Sequence, residues 1–471
     1  MTAALPDLIA ALGPTNLLTG ADMAAFAHDW TGKYTSRPCA VVRPADTGQV
    51  AAVMRIAATH GLPVIPAGGR TGLVGGLMTD GGLMVSLDRM TRIRALRPAS
   101  RVVVAEAGAV LSSLHDAAAA EDLYFPLWFG ARGSATLGGV LSTNAGGSNV
   151  LRYGSTRALC LGVEVVLADG RVLDLMGELH KDNSGYALKD LFIGAEGTLG
   201  ILTAAVMKLV PAPRAHATAM VALRSLDDAL ILLNRLQAAT GGAVAAFEYM
   251  PAPYMRRLAA VRPDIRLPFA RIHDTAVLVE IATTIPDQAT PRIDGSLPLT
   301  DALESILAAM LDDGAVLDAE VAKSDTQRAA MWQRRELAAE VTFARKPFID
   351  TDIALPLDRV GTFLTAMEAA LPTIDPGADS LAIAHLGDGN IHYTVFPTRD
   401  DPALAEAVVT RVEDVVQSLR GSFSAEHGVG LSKKASMSRR KDPVALQVMR
   451  SVKAALDPQG RMNPGKVLPE A

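Results

Sequence analysis

The chain of 471 residues is several times longer than one hydrophobic core requires, so two or more domains are expected. With 49% apolar and 20% charged residues, the composition is that of a folded globular protein and excludes disordered and fibrous classes. The 45 basic and 50 acidic side chains leave a formal charge of −5, too small and of the wrong sign for a nucleic-acid partner.

In chain order, the N-terminus carries no early Lys or Arg and is interrupted by Pro6 and Pro14, so neither a signal nor a transit peptide is expected. No charge-free apolar run reaches the length of a membrane span, and a cytoplasmic protein follows as the expectation. CAVVRP reads as a buried strand, after which Asp46 or Thr47 caps an apolar-periodic helix ending at Gly61. LPVIP is a second strand leading into a glycine-rich loop. Beyond the loop the chain is again strand, at 84 to 90 and 101 to 109, before a helix near 111 to 120. Further strands fit 160 to 175, broken by the hairpin signal Asp169-Gly170, and 199 to 210. Pro211 and Pro213 then stop both ladders and helices, which makes them the best domain boundary. From about 217 to 420 strands alternate with helices at 225 to 239, 299 to 311, 325 to 345, 357 to 371 and 402 to 420, a ferredoxin-like pattern with helices on one face of an antiparallel sheet. The only cysteines, Cys39 and Cys160, read as buried reduced thiols. Two thiolates cannot hold an iron–sulfur cluster.

Three constellations carry chemistry. The first is the run Pro66, Ala67, Gly68, Gly69, Arg70, Thr71, Gly72, Leu73, Val74, Gly75, Gly76, whose five glycines let a backbone approach a ligand and turn N–H groups toward a pyrophosphate. Alone it has a flexible turn as its lesser alternative; it is not a Rossmann fingerprint, because no helix succeeds it, and no P-loop occurs. Related loops recur at Gly133, Ser134, Thr136, Gly138 and Gly139, at Asn144 and Gly146, and at Glu196, Gly197, Gly200 and Ile201, and together they could wrap an extended dinucleotide. The second constellation is HLGDGNIH, two strands joined by a tight turn that brings His385 and His392 near its end, as metal ligands or as hydrogen-bonded core histidines. The third is SAEHGVG, where Glu426 completes a two-histidine, one-carboxylate set with an open position, and His427 remains free to take a proton. A solvated Glu-His pair is the bland alternative.

Read together, PAGGRTGLVGG, GGVLSTNAGG with LRYGSTR, KDNSGYALKDLFIGAEGTLGI, HLGDGNIH, SAEHGVG and LDPQGRMNPGK resemble the FAD-dependent D-2-hydroxy acid dehydrogenases, of D-lactate and D-2-hydroxyglutarate dehydrogenase type, within the vanillyl-alcohol-oxidase fold superfamily. The resemblance runs from Trp30 to Pro469. It implies an α+β fold: a PCMH-type FAD-binding domain over 1–213, a ferredoxin-like substrate or cap domain over 214–424, and a segment, 425–471, that returns to the FAD site. It further implies FAD held by the glycine loops with Asn463 near the isoalloxazine, zinc (or Mn2+ or Fe2+) on His385, His392 and Glu426, and His427 as the base. Relatives that attach flavin covalently use a histidine where this chain has Arg70, so non-covalent FAD is expected.

For substrate, Arg335 aligns with the arginine that clamps the substrate carboxylate, a task suited to a guanidinium. Asp350 stands where the hydroxyglutarate enzymes have lysine, Thr394 where they have asparagine, and Ala339 where they have threonine. An anion in place of a cation repels a second carboxylate, so the expected substrate has a tail that is not anionic; D-2-hydroxyglutarate itself is the alternative. The resemblance also implies an acceptor such as an electron-transfer flavoprotein or a quinone, with oxygen as a variant, and a homodimer is the base expectation. A non-catalytic flavin-fold subunit of a larger complex is the reading from another class.

Overall fold

The computed structural model describes residues 1–470. The chain forms two compact units, one built from Met1–Gly146, Gly154–Pro211 and the residues from Glu426 on, the other from Gly147–Tyr153 and Ala212–Ala425.

In the first unit, strands Ala40–Val42, Leu83–Ser86 and Val64–Ala67 run parallel, with Leu17–Leu18 antiparallel at one edge. Helix Thr47–Thr59 starts where the Asp46 carboxylate accepts from the Gln49 N–H at 2.8 Å, and it buries Val50, Val53, Met54 and Ala57. Beside this lies an antiparallel sheet in the order Ile93–Arg97, Val102–Glu106, Ile201–Lys208, Cys160–Val166, Val172–Leu175. The last two strands turn at Asp169 and Gly170, the glycine at φ +83°. The C-terminal residues then close the free edge of the first sheet: the Val64 N–H donates to the Arg461 carbonyl and the Asn463 N–H to the Val64 carbonyl, both at 2.8 Å.

The second unit is a seven-stranded antiparallel sheet ordered Val316–Val321, Ala215–Leu223, Thr275–Thr283, Val244–Tyr249, Asp379–His385, Asn390–Phe396, Ile349–Ala354. Side-chain alternation sorts each strand between two cores. Ala217, Ala219, Val221 and Leu223 pack with helices Leu226–Thr240, Pro298–Asp312, Val360–Ile374 and Pro402–Ser418. Met220, Leu278, Leu381 and Ile383 face the other way, onto Ala252–Val261, Asp325–Glu336 and Ala338–Phe343. The expectation of helices on one face alone is therefore corrected: apolar residues occupy both parities of these strands, and both faces are covered. The expected single helix over 325 to 345 breaks at Leu337 (φ −74°, ψ 0°). The Arg334 carbonyl, which a continuous helix would offer to the Ala338 N–H, accepts from the buried Tyr254 hydroxyl.

Cys160 is buried and its thiol pKa is pushed up to about 12 by burial, whereas Cys39 is only half-buried; neither is in a disulfide. Among the described residues no helix is long and apolar enough to cross a membrane.

Candidate active site

Register alone places a set of polar groups of the second unit on one face of its sheet. Directly paired residues point the same way, and so do residues two apart. His385 pairs with Asn390 and with Glu248, His392 pairs with Ile383 and Asp352, and Thr394 pairs with Asp350. Since Ile383 belongs to the core under Asp325–Glu336, all of these side chains share the face covered by the helix that carries Arg335. The His385 and His392 rings lie 5.7 Å apart, edge to face. Between them in sequence, Gly387 leaves no room for a side chain: a Cβ there would meet Leu151 Cδ2 at 2.5 Å.

Glu248, only 1% exposed, is the hub of this face. Arg335 Nε donates to Glu248 Oε2 at 2.7 Å, and the His385 Nδ1 lies 2.9 Å from the same carboxylate. Burial works to raise the Glu248 pKa, but its interactions with His385 and Arg335 outweigh it, and the group sits below the usual carboxylate range. Arg335 also brings Nη2 to 3.4 Å from His385 Nε2. Further along, Thr394 Oγ1 donates to Asp350 at 2.7 Å, and Asn390 Nδ2 donates to the buried Asp352 at 3.0 Å. Asp352 also accepts from the Ala425 N–H at 3.2 Å, one residue before Glu426 in the chain.

In the first unit the predicted loops are tied to one another. Thr136 Oγ1 accepts from the Gly69 N–H at 3.2 Å, the Ser142 carbonyl accepts from the Glu196 N–H at 2.8 Å, and Asn144 Oδ1 accepts from the Arg157 N–H at 2.9 Å. The glycines divide into two kinds. At Gly68, Gly138, Gly197 and Gly200 an added Cβ would come within 2.5–2.7 Å of Thr136, Ala107, Pro66 and Val165, and at Gly69 it would strike the Ser134 carbonyl, so these glycines let loops pack on each other. Gly72 and Gly133 have nothing within 4 Å of such a Cβ and present bare backbone to open space. Arg70 is left-handed (φ +59°); its guanidinium lies over the Phe26 ring and donates to the Ala25 carbonyl.

Asn463 and Glu196 join these loops to the C-terminal stretch. Asn463, 2% exposed, donates from Nδ2 to the Gly76 carbonyl at 3.0 Å and to the Glu196 carbonyl at 2.8 Å. The two Glu196 carboxylate oxygens accept from the Val429 and Gly430 N–H groups at 2.7 and 2.8 Å, which anchors the segment carrying Glu426 and His427. Burial raises the Glu196 pKa despite those two bonds.

Comparison with known proteins matches the chain to two family models, the second of which starts at residue 212 and runs on past Ala425 into the first unit. Residues 38–176 match the family model described as FAD binding domain, and residues 212–467 the model described as FAD linked oxidases, C-terminal domain. The D-2-hydroxyglutarate dehydrogenase of Xanthomonas citri pv. viticola is 33% identical over 95% of this chain and 93% of that protein. The chain belongs to the family of FAD-linked D-2-hydroxy acid dehydrogenases. Within the family, the mitochondrial D-2-hydroxyglutarate dehydrogenase of Bos taurus is 36% identical, covering 94% of this chain and 79% of that protein. Two solved structures share the fold at low identity. p-Cresol methylhydroxylase with substrate bound has a TM-score of 0.75 at 16% identity, over 99% of this chain and 96% of that one; alkyldihydroxyacetonephosphate synthase has 0.71 at 16%, over 98% and 84%. The expected architecture, a PCMH-type FAD-binding domain with a cap domain, is the one found.

The residues fit the cofactor that the family implies. The loops expose bare backbone at Gly72 and Gly133, and Asn463 Oδ1 is buried with no hydrogen-bond partner, a polar atom suited to a ligand donor. For a divalent ion, two imidazoles with edge-to-face rings on one sheet face are a suitable donor pair. Sequence reasoning missed Glu248, and it missed that Glu196 acts through its side chain on backbone N–H groups. The lone acid in AVAAFEYM was the available signal for the first, since a carboxylate on a strand apolar on both faces demands buried partners.

Proposed function

We propose that this enzyme oxidises a D-2-hydroxy acid with a tail that is not anionic, using a divalent ion held by His385, His392 and Glu426. The observation that carries the reading is the order of groups on one sheet face: a partly buried guanidinium at Arg335, two imidazoles, then the carboxylate of Asp350 bonded to Thr394. One cation matches one substrate carboxylate, and the anion further along opposes a second. Bound FAD supplies the two-electron acceptor for the C2 hydride, and a bound divalent ion makes the C2 hydroxyl more acidic. Arg335 grips the substrate carboxylate with the guanidinium edge that Glu248 does not occupy. His427 takes the hydroxyl proton on a ring nitrogen, and the Glu196 carboxylate holds the backbone at Val429 and Gly430 so that this ring keeps its place. Non-covalent attachment of FAD, zinc as the ion, an electron-transfer flavoprotein or quinone as acceptor, a homodimer and a cytoplasmic location belong to the same proposal.

Anaerobic flavin bleaching across a panel of hydroxy acids tests it. D- but not L-enantiomers should bleach the flavin, and neutral-tailed acids should do so faster than D-2-hydroxyglutarate. The opposite preference would return the substrate to D-2-hydroxyglutarate, the compound in the relatives' names. Full bleaching after complete metal removal would eliminate the ion.

A further inference from the structure

We propose that Glu248 is a positioning residue that sets the tautomer of His385 and the reach of Arg335 with one buried carboxylate. The proposal rests on the reading of His385 as a metal ligand and of Arg335 as the carboxylate clamp. Its core, however, comes from donors and acceptors alone. A guanidinium only donates and an ionised carboxylate only accepts. His385 stands between the two, with Nδ1 at 2.9 Å from the Glu248 carboxylate and Nε2 at 3.4 Å from Arg335 Nη2. Both contacts are attractive in one state only, a neutral ring with the proton on Nδ1 and the lone pair on Nε2. The other tautomer sets a lone pair against the carboxylate and a proton against the guanidinium; the doubly protonated ring keeps the second clash. A lone pair on Nε2 is what a metal ion requires, and an ion there would take it in place of the long Arg335 contact, while a carboxylate behind the other ring nitrogen fixes the ring's orientation and raises its basicity.

The same carboxylate acts on Arg335. Its bond to Nε, 2.7 Å long, ties down the inner edge of a guanidinium whose side chain is only 11% exposed, and leaves Nη1 and the second N–H of Nη2 for a substrate carboxylate. Glutamine cannot replace Glu248, because its single carbonyl oxygen satisfies one of the two donors while its amide hydrogens oppose the other. Aspartate is one methylene short. Both partners are remote in sequence, 87 and 137 residues away, on the helix Asp325–Glu336 and the adjoining strand Asp379–His385.

The test uses the full-length, FAD-loaded protein with 15N-labelled histidine, freed of metal. Long-range 15N–1H correlation should show one neutral imidazole protonated on Nδ1 whose signal is lost in His385→Gln and shifts to the other tautomer or to a mixture in Glu248→Gln. Zinc affinity, read by competition with a chromophoric chelator, should fall by about 10–100-fold in Glu248→Gln. KM for the hydroxy acid should rise more than kcat falls, with Glu248→Asp intermediate in both respects. Flavin absorbance and thermal unfolding report whether each variant is folded. His385 protonated on Nε2 in the unsubstituted protein would overturn the proposal with no variant needed. So would a folded Glu248→Gln that binds zinc within about threefold of the parent. If the tautomer depends on Glu248 but the parent binds no divalent ion, the metal reading fails while the positioning of His385 stands.

Discussion

Asn463 permits a graded experiment, because three properties of its side chain can be removed separately. The residue is left-handed (φ +40°), 2% exposed, and donates two hydrogen bonds that join the first and fourth glycine loops to the C-terminal stretch. Asn463→Gly keeps the backbone conformation and loses both bonds, a cost of about 1–3 kcal/mol at ~0.5–1.5 kcal/mol per bond. Asn463→Ala loses the same bonds and adds the left-handed penalty of about 1–2 kcal/mol, for a sum of ~2–5 kcal/mol. Asn463→Asp keeps the size and the tolerance of positive φ but sets an acceptor-only carboxylate against two carbonyl oxygens, and should cost most. Urea unfolding followed by flavin fluorescence reports the unit that contains this residue, and flavin content after purification should fall in the same order, Gly, Ala, Asp. Coincident curves for Gly and Ala would deny the backbone cost. An aspartate variant as stable as the parent would refute the assignment of Nδ2 as the donor, and with it the account of how the tail is held.

Other outcomes depend on single residues. Asp457 is 2% exposed and accepts from Lys453 Nζ, Arg461 N–H and Met462 N–H at 2.6, 3.0 and 2.7 Å; burial works to raise its pKa, but these partners prevail and lower it. Its folded pKa therefore lies below the unfolded value of about 3.9, so its contribution is complete at neutral pH and is lost as pH falls through the folded value. The Tm gap between the parent and Asp457→Asn should stay open at pH 7 and close below about pH 4; a gap that widens toward acid would contradict the assignment. Gly387→Ala places a Cβ 2.5 Å from Leu151 Cδ2 and should cost about 1–3 kcal/mol in thermal unfolding, unless Leu151 swings aside and Tm is unchanged. His427→Asn should lower the anaerobic flavin-reduction rate by roughly 10²–10⁴-fold with flavin content retained; a loss under about tenfold would assign the proton to another group.

The first unit was legible where local chemistry decides structure. Asp46 caps its helix as read, and Asp169-Gly170 turns its hairpin, because capping and positive φ act within four residues. The second face of the cap sheet was not legible. Ala252–Val261 mixes apolar residues with two arginines, and its tie to Arg334 runs through Tyr254, 80 residues away. The glycine loops announced themselves as a set, but not which glycines serve packing: Gly197 needs its bare Cα because of Pro66, a neighbour in space alone. Glu248 and Glu196 were hidden for the same reason. A carboxylate's role depends on the donors that meet it, and at Glu196 those are backbone N–H groups 233 and 234 residues further on.

The closing of the Val64–Ala67 edge by Arg461 to Asn463 has a consequence for biosynthesis. Val64 leaves the ribosome about 400 residues before its partner, which at roughly 5–20 residues per second is a wait of ~20–80 s. Throughout that interval the flavin-binding unit has an open strand edge, and before it ends the whole of the cap sheet, through Asn390–Phe396, has been synthesised. A chain that stalls or is cut before Arg461 thus carries a finished cap and an unfinished flavin unit, and it exposes to chaperones and to other nascent chains the strand edge that the last residues exist to cover.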